Sequence, residues 1–295
     1  MNATYISPLT DFGFKKLFGE EPNKDLLISF LNTLLPERHQ IADLQYTKNE
    51  YQGISSLDRR AIFDLNCRST TGERFIIELQ KAKQTYFKDR SVYYSTFAIQ
   101  EQAQQGQWNY QLSPVYTIGI LDFLISEHEH DVVYYAELKD QHQRTFFDKL
   151  QYIYVVLPRF QKSEQELVTL QDKWLYTFRH LHELEGVPSA LTEVIFQRVF
   201  AVAELAHFNP KERLGYEESL KFYRDLKNTE DTAYQTGHQE GLEEGLEQGL
   251  EQGLEQGLIQ GKLEVARNLL DVLDDVTIAA KTGLSVVEVV QLRGV

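Results

Sequence analysis

The sequence predicts an α/β core followed by an all-helical C-terminal region. Three patterns lead to this prediction. Residues 61–80 read AIFDLNCRSTTGERFIIELQ, two short runs with the period-two alternation of strands around a tight turn. The run PVYTIGILDF at 114–123 is almost wholly apolar, as expected of a strand covered on both faces. From Ser163 onward the apolar residues recur at helical spacing instead.

Two helices are expected before the hairpin at 61–80. Thr10 or Asp11 can cap a short first helix that ends at Gly19. A second helix begins within residues 22–25 and is stopped by a proline at position 36. Its buried stripe consists of Leu26, Leu27, Phe30, Leu31 and Leu34.

The remaining elements of the core follow from apolar runs and turn residues. Residues 43–52 are a candidate first strand, although they are strongly polar. A helix is expected from Thr85 to Gln105, and further strands are expected at 132–138 and 152–157. Together these elements complete an α/β domain at 1–160.

Three C-terminal segments follow this core. The first, at 161–228, reads as a helical domain in which Pro188 opens a helix. The second, at 229–270, contains a glycine repeat and is either a helix or a linker. The third, at 271–295, reads as a small helix-turn-helix-like hairpin, with a packing or assembly role favoured over DNA reading.

The turn at 70–72 sets the register of the hairpin. If these three residues form the loop with Gly72 in the left-handed conformation, Ser69 pairs with Glu73. The same register gives two further pairs on one face, Asp64 with Glu78 and Ile62 with Gln80.

The pairing of Asp64 with Glu78 suggests a metal site. Directly opposed side chains have Cβ atoms about 4.5–5.5 Å apart, which is close enough for two carboxylates to share a divalent cation. Mg²⁺ takes oxygen ligands and often uses only one or two carboxylates, so Gln80 can complete the set. The alternative is a hairpin whose outer face is simply polar, and spacing alone leaves this alternative open.

These residues also resemble the PD-(D/E)XK nuclease superfamily, in particular its recombination-promoting nuclease or putative transposase family. The resemblance extends over nearly the whole chain, into the glycine repeat. It is carried by residues 10–18, Asp64, residues 78–80, residues 87–90 and 93–95, residues 172–176, residues 216–221 and the pair 224–225.

The resemblance implies a restriction-endonuclease-like core with a mixed central sheet between helices. It also implies a Mg²⁺-dependent DNA endonuclease, for which Mn²⁺ is a second candidate metal. In such an enzyme Asp64 and Glu78 hold the metal ion, and Gln80 orients the attacking water. A protein that keeps the nuclease fold but only binds DNA, or only assembles, is the alternative.

Gln80 stands where the superfamily usually has a lysine. Because glutamine cannot act as a base, Lys81 or Lys83 is a candidate to assist the site. Lys81 points to the opposite face of an ideal strand, so Lys83 is the better candidate. Further accessory candidates are Asp11, Arg90 and Tyr94. Asp11 is alternatively a helix cap, and Arg90 alternatively forms a surface salt bridge.

The net charge of −14 argues at first sight against DNA as a partner. The acid is concentrated in the tail, since residues 217–275 hold 15 Asp and Glu against 5 Lys and Arg, while residues 1–150 hold 20 against 16. The core can therefore present a local basic face. Basic residues near the predicted site are Lys15, Lys16, Arg59, Arg60, Lys81, Lys83, Lys88 and Arg90.

Glycine recurs every fourth residue from 237 to 261, with leucine after most of these glycines. Each glycine inside a helix costs about 1 kcal/mol relative to alanine, so a helix here needs a partner. We therefore expect a homo-oligomer formed through this segment, with an unstructured linker as the alternative. No apolar run is long enough to span a membrane and no signal peptide is recognisable, so we expect a cytoplasmic protein.

Overall fold

The computed structural model describes residues 3–51, 61–103, 108–125 and 130–294. The chain divides into two units, Met1–Asn228 and Thr229–Val295. No helix in the described ranges is long and apolar enough to cross a membrane.

A six-stranded sheet lies at the centre of the first unit. Its strands, in spatial order, are β1 (Leu44–Tyr46), β4 (Leu65–Ser69), β5 (Arg74–Gln80), β6 (Val115–Leu121), β8 (Thr145–Val156) and β7 (Val133–Lys139). The pairs β5–β6 and β6–β8 are parallel, and the other neighbours are antiparallel. The predicted mixed sheet is therefore confirmed. A separate pair is formed by β2 (Glu50–Tyr51) and β3 (Ala61–Ile62).

The central strand is β6, in agreement with its apolar sequence. All seven of its residues are buried, because β5 and β8 flank it and both of its faces are covered. Strand β8 starts at Thr145, seven residues before the predicted start at 152. Its first half is exposed or half-buried and pairs with β7 around a register shift, so it lacks the apolar pattern that marks the second half.

The α-helices that lie wholly in the first unit pack against its main apolar core, except the third along the chain, which packs against two smaller clusters. They are α1 (Asp11–Phe18), α2 (Lys24–Asn32), α3 (Phe87–Gln100), α4 (Leu170–His180) and α5 (Val194–Ala203). The predicted stripe of α2 is fully buried, and Phe30 packs on Phe178 with 4.8 Å between the ring centroids. The expectation that Pro188 opens a helix is wrong, because α5 begins six residues later, after Glu193.

The long helix α6 (Pro210–Leu269) begins in the first unit and contains the glycine repeat. The second unit also holds α7 (Asp275–Thr282) and α8 (Val286–Arg293). Gly283 ends α7 with a φ of 72°, and Ser285 forms the predicted capping box with Glu288. Ala266, Ile278, Ala279 and Val289 form the small core of this unit.

Candidate metal centre

The hairpin between β4 and β5 has the predicted register. Leu65 pairs with Ile77 and Arg68 with Arg74, while the Ser69 N–H donates to the Glu73 carbonyl at 2.9 Å. Gly72 has a φ of 105°, a conformation that glycine adopts without strain. The turn therefore aligns the two strands as the sequence predicted.

The register does not continue to Ile62, and the expected pair of Ile62 with Gln80 is wrong. Ile62 pairs with Glu50 of β2 instead. The physical reason is Asn49, which binds the backbone around Asp64. Its carbonyl accepts from the Phe63 N–H at 2.8 Å, and its side-chain amide donates to the Asp64 carbonyl at 3.1 Å. These bonds turn the chain away from β5 directly before Asp64.

Asp64 and Glu78 face each other at this bend. An Oδ atom of Asp64 accepts from the backbone N–H of Leu79 at 2.6 Å. An Oε atom of Glu78 accepts from the backbone N–H of Asp64 at 3.3 Å. Glu78 is thus held by the backbone amide of Asp64, and Asp64 by the amide of the residue after Glu78, so that backbone hydrogen bonds fix the pair.

Both carboxyl groups titrate abnormally. Burial raises the pKa of Asp64 above its ordinary value, and the hydrogen bond from Leu79 only partly opposes this effect. Burial also raises the pKa of Glu78, and repulsion from Asp64 raises it further. The two acids therefore favour a bound cation or a shared proton over two uncompensated charges. A divalent cation fits this pair, since hard ions prefer carboxylate oxygens.

Gln80 links the acid pair to α3. Its side-chain N–H donates to Glu78 at 3.1 Å, and its amide oxygen accepts from the guanidinium of Arg90. Arg90 also donates to the side-chain oxygen of Gln84 at 2.6 Å. Arg90 therefore contacts amide groups beside the acid pair, and within the described residues it forms no ion pair.

Tyr94 lies on the same side of α3. The guanidinium of Arg90 stands 5.8 Å from the centre of its ring, and the buried Phe63 contacts that ring edge-on at 4.9 Å. Burial raises the pKa of Tyr94, and the negative charge of Glu78 adds to this increase. The predicted accessory residues Arg90 and Tyr94 thus lie beside the acid pair.

Asp11 and Asp64 line the same cavity. The cap of α1 is Thr10, whose hydroxyl accepts from the Gly13 N–H at 3.0 Å, so the alternative of an Asp11 cap is wrong. Asp11 instead forms an ion pair with Lys15 at 3.0 Å. It also lines a cavity of about 380 Å³ together with Phe12, Lys15, Lys16, Gly19, Glu20, Asn49, Asp64, Leu65, Glu212, Gly215 and Ser219.

Lys81, rather than Lys83, lies in the electrostatic field of the acids. Burial lowers the pKa of Lys81, whereas the charges of Asp11 and Asp64 raise it. The preference for Lys83 assumed ideal alternation, but β5 ends at Gln80 and alternation no longer decides where the next side chain points. Lys83 is exposed beyond the strand end.

The first turns of α6 form a wall of this region, which the sequence did not reveal. Ser219 accepts from the Phe12 N–H at 3.1 Å. Tyr223 donates to the Asp122 carboxylate at 2.7 Å, and Lys227 donates to the Asp122 carbonyl, also at 2.7 Å. These bonds join residues about a hundred or more positions apart, so no local pattern could have identified them.

Two predictions, the metal ligands and the basic face, are addressed only in part by the described residues. Among the described residues, no group of three or more His, Cys, Asp or Glu side chains is arranged to hold a metal ion. A metal ion at the acid pair would therefore take its additional ligands from Gln80, substrate or water. Of the predicted basic face, Arg59 and Arg60 lie outside the described residues.

Comparison with known proteins identifies the family. The family model described as PD-(D/E)XK nuclease family transposase matches residues 8–233. The chain belongs to this family. No curated protein and no solved structure matches the chain. Membership indicates a nuclease or transposase-like role with DNA as substrate, in a family of enzymes that usually use a divalent metal.

Proposed function

We propose that the protein is a Mg²⁺-dependent DNA endonuclease of the recombination-promoting, transposase-like type that hydrolyses phosphodiester bonds. The observation that carries this proposal is the pair of half-buried carboxylates, Asp64 and Glu78, of which Asp64 accepts from the N–H of Leu79 and Glu78 accepts from the N–H of Asp64. Mutual repulsion and burial favour a cation between them. Mn²⁺ shares the preference for oxygen ligands and is the expected substitute.

Asp64 and Glu78 would hold the cation, which supplies a Lewis acid for the scissile phosphate and lowers the pKa of a bound water. The hydrogen bonds to Arg90 and Glu78 hold the Gln80 amide beside the acid pair, which supports a role for it in orienting the attacking water. Arg90 already carries a fixed positive charge beside Glu78, which suits it to bind a phosphate oxygen. These roles require no base at position 80.

Lys81 supports the site from the side of Asp64. Its ammonium lies over the Phe222 ring at 5.6 Å, and its pKa is lowered by burial, so its proton is more readily released than that of an exposed lysine. We expect Lys81→Met to reduce cleavage by at least about tenfold, within the range usual for acid–base groups. The matched variant Lys83→Met should retain most activity.

The decisive experiment measures nicking and linearisation of supercoiled plasmid with Mg²⁺, with Mn²⁺ and with EDTA. Wild-type protein should cut with either metal and not in EDTA, and Asp64→Asn should not cut under any condition. Asp148→Asn is the control, because Asp148 lies in an exposed pair with Arg38. Folded wild-type protein that cuts neither the plasmid nor a single-stranded circular DNA would favour the alternative, a DNA-binding or assembly protein that retains the nuclease fold.

Two further properties belong to this proposal. Self-association through the glycine repeat would place two or more nuclease units on one DNA molecule. A cytoplasmic location follows only from the sequence, and cell fractionation followed by detection of the protein would test it.

A further inference from the structure

One side of α3 presents a row of rings and a guanidinium beside the acid pair. Tyr86, Arg90, Tyr93 and Phe97 are separated by four, three and four residues, which places them along one side of a helix. Tyr86 immediately precedes the helix. We call these four residues the aromatic row. Because Arg90 donates to Gln80, the aromatic row lies next to the acid pair.

Both tyrosines of the aromatic row are exposed, and Tyr93 is supported by neighbouring rings. Tyr86 is 73% exposed and Tyr93 is 43% exposed. The ring of Tyr93 stands perpendicular to that of Phe97, with 5.1 Å between their centroids, and Phe97 in turn contacts the buried Phe63. Since this support holds Tyr93 in place before a ligand arrives, stacking of a flat group on it costs little conformational entropy.

Formal charge differs between the two sides of the acid pair. Leaving the acid pair itself out of both counts, Lys88 and Arg90 outnumber the single acid Asp89 within residues 86–90, beside the aromatic row. In the cavity that Asp64 also lines, Lys15 and Lys16 are outnumbered by three further acids, Asp11, Glu20 and Glu212. A polyanion is therefore attracted to the side of α3 and repelled from the cavity.

We propose that the aromatic row binds an unpaired DNA strand, so that the acid pair acts on single-stranded DNA or on a single-stranded end. The inference rests on the proposed endonuclease function and specifies its substrate. In a duplex the faces of the bases are covered by stacking, whereas an unpaired strand exposes them to aromatic side chains. Tyr86 and Tyr93 are separated by about 10 Å along the helix axis, so each ring can stack on a different base.

The test measures DNA binding in EDTA, where cleavage does not interfere. The probe is a short fluorescein-labelled DNA oligonucleotide, either alone or annealed to its complement, followed by fluorescence anisotropy. The single strand should bind more tightly than the duplex. Tyr86→Leu and Tyr93→Leu should each weaken single-strand binding by about tenfold, as the loss of one stacked base predicts. The corresponding Phe variants keep the ring and should retain affinity.

Phe146→Leu is the matched control, because Phe146 is 79% exposed on β8, outside the aromatic row. Equal affinity for single strand and duplex, or unchanged affinity in both Leu variants, would overturn the inference. So would binding of the same oligonucleotide as RNA but not as DNA. Wild-type protein that binds the single strand but cuts no DNA contradicts only the endonuclease function. Protein that cuts plasmid but has no preference for unpaired DNA contradicts only the aromatic row.

Discussion

The acid hairpin and the glycine repeat are the two clearest patterns in the sequence. They differ in how many contacts their side chains and backbone make within the chain. At the hairpin, each carboxylate accepts a backbone hydrogen bond and Gln80 is bound on both sides. In the repeat, a Cβ added to any of the seven glycines from 237 to 261 would meet no atom within 4 Å. The five leucines of the repeat are between 63% and 74% exposed.

The difference indicates which interactions each region lacks. In the hairpin the backbone hydrogen bonds are made and the two acids repel each other, which supports the proposal that it binds a small cation. A helix of exposed glycine and leucine is stabilised little by its own contacts, since each glycine costs about 1 kcal/mol relative to alanine. We propose that the first region lacks only a metal ion and that the second packs against a further copy of the chain. The following predictions test this contrast.

The largest effect is expected at the acid pair. Asp64→Asn and Glu78→Gln should reduce Mg²⁺-dependent cleavage by orders of magnitude, because each removes one of two metal-binding carboxylates. In EDTA both variants should be as stable as wild type or slightly more stable, because the substitution removes repulsion. Plasmid cleavage and thermal melting of the same preparations measure the two effects. Variants that melt earlier and still cut at the wild-type rate would show that the acids have a structural role instead.

Deletion of residues 237–261 should lower the oligomeric state measured by light scattering. Gly249→Ala offers a finer test. In a solitary helix this change adds about 1 kcal/mol of stability, because space is open around Gly249. If a second chain packs closely against the glycines, the added methyl group should weaken assembly instead.

Gly186→Ala is the control for the repeat, since its surroundings are equally open and it lies elsewhere in the chain. We expect a lower mass for Gly249→Ala at limiting protein concentration and no change for Gly186→Ala. An intact protein that is monomeric at all concentrations would remove self-association altogether.

The stability of metal-free protein should depend on pH through Glu78. Its pKa is raised in the folded state, so the folded protein binds its proton more tightly than the unfolded chain does. Glu78 therefore stabilises the folded state at pH values below its pKa in the unfolded chain, about 4.3, and this contribution is lost as pH rises toward its pKa in the folded protein. Each unit by which folding raises the pKa corresponds to about 1.4 kcal/mol in the free energy of unfolding.

Denaturant unfolding in EDTA at several pH values measures this dependence. Glu78→Gln cannot titrate, so its stability should exceed that of wild type by an amount that grows with pH over that window. Added Mg²⁺ should reduce the difference at high pH, because a ligand that binds the folded state stabilises it by mass action. A constant difference at all pH values would contradict the raised pKa.

Features set by residues close together in the sequence were predicted correctly, whereas features set by residues far apart were missed. The hairpin register was predictable because Gly72 and the alternation of β4 and β5 are local signals. The bend at Phe63 was not, since it depends on Asn49, which is distant from the hairpin turn. The position of Lys81 was also missed, because period-two alternation applies only within a strand. The acids were thus predictable, whereas much of their surroundings was not.

The smallest effect on DNA binding is expected in the second unit, at Arg293. Its guanidinium pairs with Asp275 at 2.7 Å and donates to the carbonyls of Leu270 and Leu273 at 2.5 and 2.9 Å. These bonds join the end of α8 to the turn after α6, so the side chain is engaged within its own unit and is a poor reader of DNA.

Arg293→Ala should therefore leave DNA affinity nearly unchanged at physiological salt while it destabilises the C-terminal hairpin by about 1 kcal/mol, the usual net value of such hydrogen bonds. A gel-shift titration measures the first effect and a thermal melt the second. Arg293→Lys keeps the charge but loses the planar fork that spans two carbonyls, so its stability should fall nearly as far. A large, sequence-dependent loss of DNA affinity in Arg293→Ala with an unchanged melt would mean that α8 reads DNA. In that case the second unit, like the acid hairpin, would act directly on the substrate.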